Sequence, residues 1–67
     1  MTSVIEFIRT QTVDMSMKLG ASMSHAERAA AEAVNHYRTA HVIKGGVSAM
    51  IERHAKRAAK ASKNDSA

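Results

Sequence analysis

Residues 24–46 read Ser24-His25-Ala26-Glu27-Arg28-Ala29-Ala30-Ala31-Glu32-Ala33-Val34-Asn35-His36-Tyr37-Arg38-Thr39-Ala40-His41-Val42-Ile43-Lys44-Gly45-Gly46. The stretch opens on a helix start and closes on a helix stop. Ser24 and Glu27 have the spacing of a capping box, in which the Ser oxygen accepts from the Glu amide and the carboxylate reaches back. Ala26, Ala29, Ala30, Ala33, Val34, Tyr37, Ala40 and His41 then recur at helical intervals and make one face of small residues with a single aromatic. Glu27, Arg28, Glu32 and Arg38 fall toward solvent. Adjacent glycines cost about 1 kcal/mol each inside a helix, so Lys44-Gly45-Gly46 predicts a stop or turn. The spacing predicts a helix over 24–43.

Upstream, Ser3-Val4-Ile5-Glu6 repeats the capping-box spacing, and Ile5, Ile8, Thr12, Met15 and Leu19 form one stripe, widened by Val4. Phe7, Val13 and Met17 lie off it, so this helix has apolar residues on two sides and is expected to face two neighbours. Gly20 suits the left-handed residue just past a helix end. A first helix is predicted over 3–19, and the short link after it favours an antiparallel hairpin with the second. Downstream, Val47, Met50, Ile51, His54, Ala55 and Ala58 give a narrow apolar face and predict a third helix over 47–61. Residues 62–67 are polar and are expected to fray.

The expected fold is therefore all-α: an antiparallel helical hairpin plus a basic C-terminal helix, in one small domain over 1–61. Size limits its stability. A core within 67 residues rarely supplies more than about 3–5 kcal/mol without disulfides, metal or oligomerisation. There is no cysteine, and thirteen of the hydrophobic residues are alanines that each bury little area. A packed or intertwined homodimer is the expected remedy, with Ile5, Ile8, Met15, Leu19, Ala30 and Ala33 at its interface.

Charge separates the chain into two parts. Arg9, Lys18, Arg28 and Arg38 balance Glu6, Asp14, Glu27 and Glu32 before residue 44. After it, Lys44, Arg53, Lys56, Arg57, Lys60 and Lys63 face only Glu52 and Asp65, which accounts for the whole formal net charge of +4. Arg53, Lys56, Arg57 and Lys60 make a basic stripe on the third helix. Such a stripe suits phosphates or an acidic protein surface, and equally a solvated helix end that complements the macrodipole. It lacks an interleaved aromatic for base stacking and an internal Asn or Gln to read adenine. Tyr37 is the candidate anchor for a partner, or else a hairpin core residue.

Other chemistry finds little support. No two of His25, His36, His41 and His54 have the i,i+4 spacing that aims two imidazoles at one ion, so no metal is expected. There is no thiol nucleophile and no phosphate loop after Gly45-Gly46, so neither an enzyme nor a cofactor nor a small-molecule substrate is expected. No run reaches the roughly 20 apolar residues of a membrane span. Neither a membrane partner nor a signal peptide is expected, and the expected location is cytoplasmic.

Gly46-Val47-Ser48 resembles the turn of helix-turn-helix proteins, with a basic helix after it. Val42 stands where that motif has a small residue, and Glu52 where it has an aliphatic. In size and composition the chain also resembles the small, Cys-free helical proteins that bacteriophages and mobile elements encode to bind and disable host proteins. That resemblance implies a homodimeric, non-enzymatic interaction module that inhibits or modulates a host protein such as a transcription regulator. The alternative is a small basic DNA-binding regulator that uses residues 46–60.

Overall fold

A computed structural model of the chain describes residues 3–65. They form three helices and no strand: α1 over Val4–Lys18, α2 over Met23–Thr39 and α3 over Gly46–Asp65. Each helix packs against both others.

Helix α1 begins where its cap chemistry dictates. Ser3 is extended, and its hydroxyl accepts from the Glu6 amide at 3.1 Å. The helix ends in a Schellman turn. The Gly20 amide donates to the Met17 carbonyl at 3.0 Å and the Ala21 amide to the Ser16 carbonyl at 2.9 Å, while Gly20 takes a φ of 103°. Ala21 is thereby turned inward against Ala29 and Ala58.

Helix α2 starts earlier than its sequence predicts. Its cap is Ser22 rather than Ser24, with the Ser22 hydroxyl accepting from the His25 amide at 3.4 Å. Because the turn at Gly20 buries Ala21, the next residue is already placed to cap. The far end falls at Thr39, short of the expected residue 43. Ala40 is extended, which lets Ile43 turn back onto the core. The Gly46 amide then closes a turn on the Ile43 carbonyl at 3.0 Å.

The core is small. Ile8, Ala33, Val34, Met50 and Ile51 form its centre, with Ile5, Met15, Tyr37, Ile43 and Val47 packed around it. The largest fully buried side chains are Ile8, Met50, Thr12 and Ser16. Two of these carry hydroxyls, and both are satisfied within α1. Thr12 donates to the Ile8 carbonyl and Ser16 to the Thr12 carbonyl, each at 2.6 Å. Small hydroxyl residues at 12 and 16 thus continue the stripe from Ile8 without requiring a polar partner across the interface.

Most residues expected at a dimer surface lie in or against the core of the single chain. Ile8, Ala30 and Ala33 are closed inside the chain's own core, and Ile5 and Met15 pack against that core. Of the six residues expected at a dimer interface, Leu19 alone is extensively exposed. The apolar residues that α1 leaves to solvent are Val4, Phe7 and Met17. The expected frayed tail is corrected as far as residue 65, residues 66 and 67 lying outside the described ones. Helix α3 continues to Asp65, and Ser62 is buried with its hydroxyl accepting from the Ser22 amide at 3.0 Å.

Two substitutions measure these local constraints. Gly20→Ala meets no atom within 4 Å but forces a side chain into a left-handed backbone, and is expected to cost about 1 kcal/mol. Gly45→Ala adds a clash, since its Cβ would lie 2.9 Å from the Ala49 Cβ at a φ of +80°, and is expected to cost roughly 2–3 kcal/mol. Urea midpoints rank the two. Ser62→Ala removes the partner of a part-buried amide and is expected to cost about 1–2 kcal/mol, whereas a frayed tail would show no loss.

Candidate functional site: the cationic face of the third helix and its seam with the second

On α3 the buried residues Met50, Ile51, Ala55, Ala58 and Ser62 follow helical spacing along one side. The opposite side carries Arg53, Lys56, Arg57, Lys60 and Lys63, all exposed. Their arrangement follows directly from the helical repeat, because residues out of phase with the core stripe must face water. The four cations expected to bind a partner therefore do share a face. Two of them have local ties. Arg53 donates through Nη2 to the Lys44 carbonyl at 2.8 Å and so pins the loop between α2 and α3. Lys56 pairs with Glu52 at 2.9 Å, an exposed i,i+4 pair that contributes little stability. Arg57 and Lys60 are also exposed, with Arg57 at the edge nearest α2.

Tyr37 does not join them. It sits half-buried against the core cluster of Ile8, Ala33, Val34, Met50 and Ile51. Its ring completes the monomer's core, so Tyr37→Ala is expected to lower stability by about 2 kcal/mol, which a thermal melt would register.

The seam between α2 and α3 holds a pair that sequence spacing does not reveal. His36 Nδ1 lies 3.3 Å from His54 Nε2, with the rings edge to face at a centroid distance of 5.5 Å. At the far end of the same seam, His25 bridges Ser22 and Asp65. Its Nδ1 is 2.8 Å from the Ser22 hydroxyl, and its Nε2 is 2.7 Å from Asp65 Oδ2. The i,i+4 spacing relates histidines along one helix only. These contacts cross between helices, and they become visible only once the register of α2 against α3 is known. Among the described residues, no three His, Asp or Glu side chains are grouped to hold a metal ion.

Burial holds the His54 imidazole below its ordinary pKa of 6.5, helped by His36, Arg57 and Arg53 and opposed by Glu32. A cavity of about 400 Å³ opens beside this pair, lined by His36, Arg53, His54, Lys56 and Arg57. A second, of about 410 Å³, lies along the seam and brings Arg28 and Glu32 of α2 toward Arg57 and Asp65 of α3.

No protein-family model, curated protein or solved structure matches this chain. The functional reading rests on the residues themselves.

The His54 environment makes stability depend on pH in a fixed direction. A folded pKa below the unfolded value means that the unfolded chain binds more protons as pH falls through 6.5. The contribution is therefore present above that pH and lost as pH falls toward the folded pKa. The melting temperature is expected to drop between about pH 7.5 and pH 5, and His54→Gln to flatten that profile.

Proposed function

We propose that this protein is a non-enzymatic binding module that docks an acidic surface of a partner protein on the outer face of α3. One observation carries the reading: five exposed cations share the face opposite the buried stripe, and among the described residues Glu52 is the one acid paired to them. Such a face attracts an acidic partner and fixes its orientation. Duplex DNA is the less favoured partner. The link between α2 and α3 spans residues 40–45, longer than the roughly three to four residues of a helix-turn-helix turn. Of the exposed residues in the first two turns of α3, Gly46, Ser48 and Glu52 also bring no positive charge to the place where a recognition helix meets base edges, and Arg53 is engaged with the Lys44 carbonyl.

Self-association belongs to the same proposal. Val4 and Phe7, one turn apart on α1, are 50% and 48% exposed and supply an apolar patch that the monomer leaves open. In the proposed assembly α1 and α2 form the antiparallel hairpin that their four-residue link favours, and two copies meet through Val4, Phe7 and Leu19. The finer reading, a phage- or mobile-element-type inhibitor or modulator of a host transcription regulator, is supported by size and composition and assigns no residue. Among the described residues no helix is long and apolar enough to cross a membrane.

The charge test replaces Lys56, Arg57, Lys60 and Lys63 with Gln together, and retains Arg53 because it anchors the loop. Binding is read by fluorescence anisotropy against a hexaglutamate peptide and a random-sequence DNA duplex at physiological salt. The wild-type chain is expected to prefer the peptide, and the variant to lose most of that binding. Submicromolar duplex binding, with a salt slope that falls by about 0.9 for each phosphate the variant no longer neutralises, would instead establish the DNA reading. Phe7→Ser is expected to lower the mass measured by light scattering toward the 7.2 kDa monomer.

A further inference from the structure

The cavity between His36 of α2 and Arg53, His54, Lys56 and Arg57 of α3 differs from the other depressions in its lining. All five side chains can carry positive charge, and none is acidic. The two imidazoles come from different helices and are held together at 3.3 Å. The imidazole part of the wall is therefore fixed by the packing of α2 on α3, while Arg53, Lys56 and Arg57 line the rest as exposed side chains. Arg57 offers a planar fork of donors suited to an oxyanion, and its side chain reaches the cavity from the exposed face. Arg53 has one Nη2 engaged with the Lys44 carbonyl, which orients its guanidinium. We infer that this cavity is an oxyanion site, and that in the proposed complex it takes a carboxylate of the acidic partner.

The inference rests on the proposed acidic partner for the identity of its occupant, but the site itself does not. Its chemistry couples binding to protons. The groups facing His54 are Glu32 and His36 from α2 and Arg53 and Arg57 from α3. A neutral imidazole beside two arginines gains a proton more readily once an anion is seated, so an oxyanion binds more tightly as pH falls. Glu32 opposes entry of the anion from the neighbouring stretch of the seam and marks that boundary of the site.

The test uses the full chain and two probes, sodium sulfate and a hexaglutamate peptide, followed by histidine ring resonances in NMR titrations. Sulfate keeps its charge across the pH range of interest, so any pH dependence belongs to the protein. Saturable shifts at His36 and His54 that strengthen from about pH 7.5 to pH 6 are expected for both probes. Arg57→Gln is expected to weaken sulfate binding about ten-fold. Lys63→Gln removes the same charge from the same face outside the cavity and is expected to change it less than about two-fold. His54→Gln is expected to reduce the pH dependence, and its fold is checked by a thermal melt. Peptide binding that sulfate competes away supports the assigned occupant. Peptide binding that is indifferent to sulfate and to Arg57→Gln overturns the inference and leaves the proposed function standing. Saturable sulfate binding without peptide binding retains the oxyanion site but overturns the acidic-partner reading. Equal weakening by Arg57→Gln and Lys63→Gln means general screening, and overturns the site.

Discussion

Helix α2 can lie against both other helices because Ala26, Ala29, Ala30 and Ala33 each present a single methyl. Ala33 meets Ile8 of α1 and Met50 and Ile51 of α3 in one cluster, and Ala29 meets Ala21 and Ala58 in another. Close approach of this kind gains many small dispersion attractions in place of a few large buried side chains. It also makes the packing intolerant, since a surface of methyls with little free volume has no room for a longer residue. Thr12 and Ser16 obey the same constraint on α1, where they return their hydroxyls to their own helix.

From that packing follows the location of the chemistry. Once α3 turns Met50, Ile51, Ala55, Ala58 and Ser62 inward, its cations have only the outer face to occupy. Once α2 lies close to α3, His36 meets His54 and His25 meets Asp65. The seam thus has a histidine contact at each end, with opposite chemical needs. The His25–Asp65 contact is an ion pair when the imidazole is protonated. Two protonated rings at 3.3 Å would repel each other, so the His36–His54 contact requires that at least one remain neutral. The proposed binding face of α3 and the histidine pair of the seam consequently share residues, Arg53 and Arg57 above all.

The all-helical class was legible because the apolar spacing is helical throughout and alternation is never sustained. The cap at Ser3 and the turn at Gly20 were legible for the same local reason: each depends on residues within one turn of chain. What was not legible depends on distant partners. The preference for Ser22 over Ser24 as a cap follows from Ala21 packing on Ala58, which lies far along the chain. Residues 62–65 read as a polar tail because burial of Ser62 requires the Ser22 amide from the first link. The small core suggested that Ile8, Ala30 and Ala33 were free for a second chain, yet the third helix covers part of what a hairpin alone would expose. The His36–His54 contact has no signature along the sequence, since it joins two helices separated by a loop.

The central claim is that the alanine face of α2 fixes the fold by allowing close approach on one side only. Neighbouring alanines provide the control, for Ala30 is 1% exposed while Ala31 faces solvent. The decisive measurement is the urea unfolding free energy of Ala30→Leu beside that of Ala31→Leu. The account predicts a loss of about 1–3 kcal/mol for the first and a change within about 0.5 kcal/mol for the second. Equal values for the two, or an Ala30→Leu protein as stable as the parent, would contradict it.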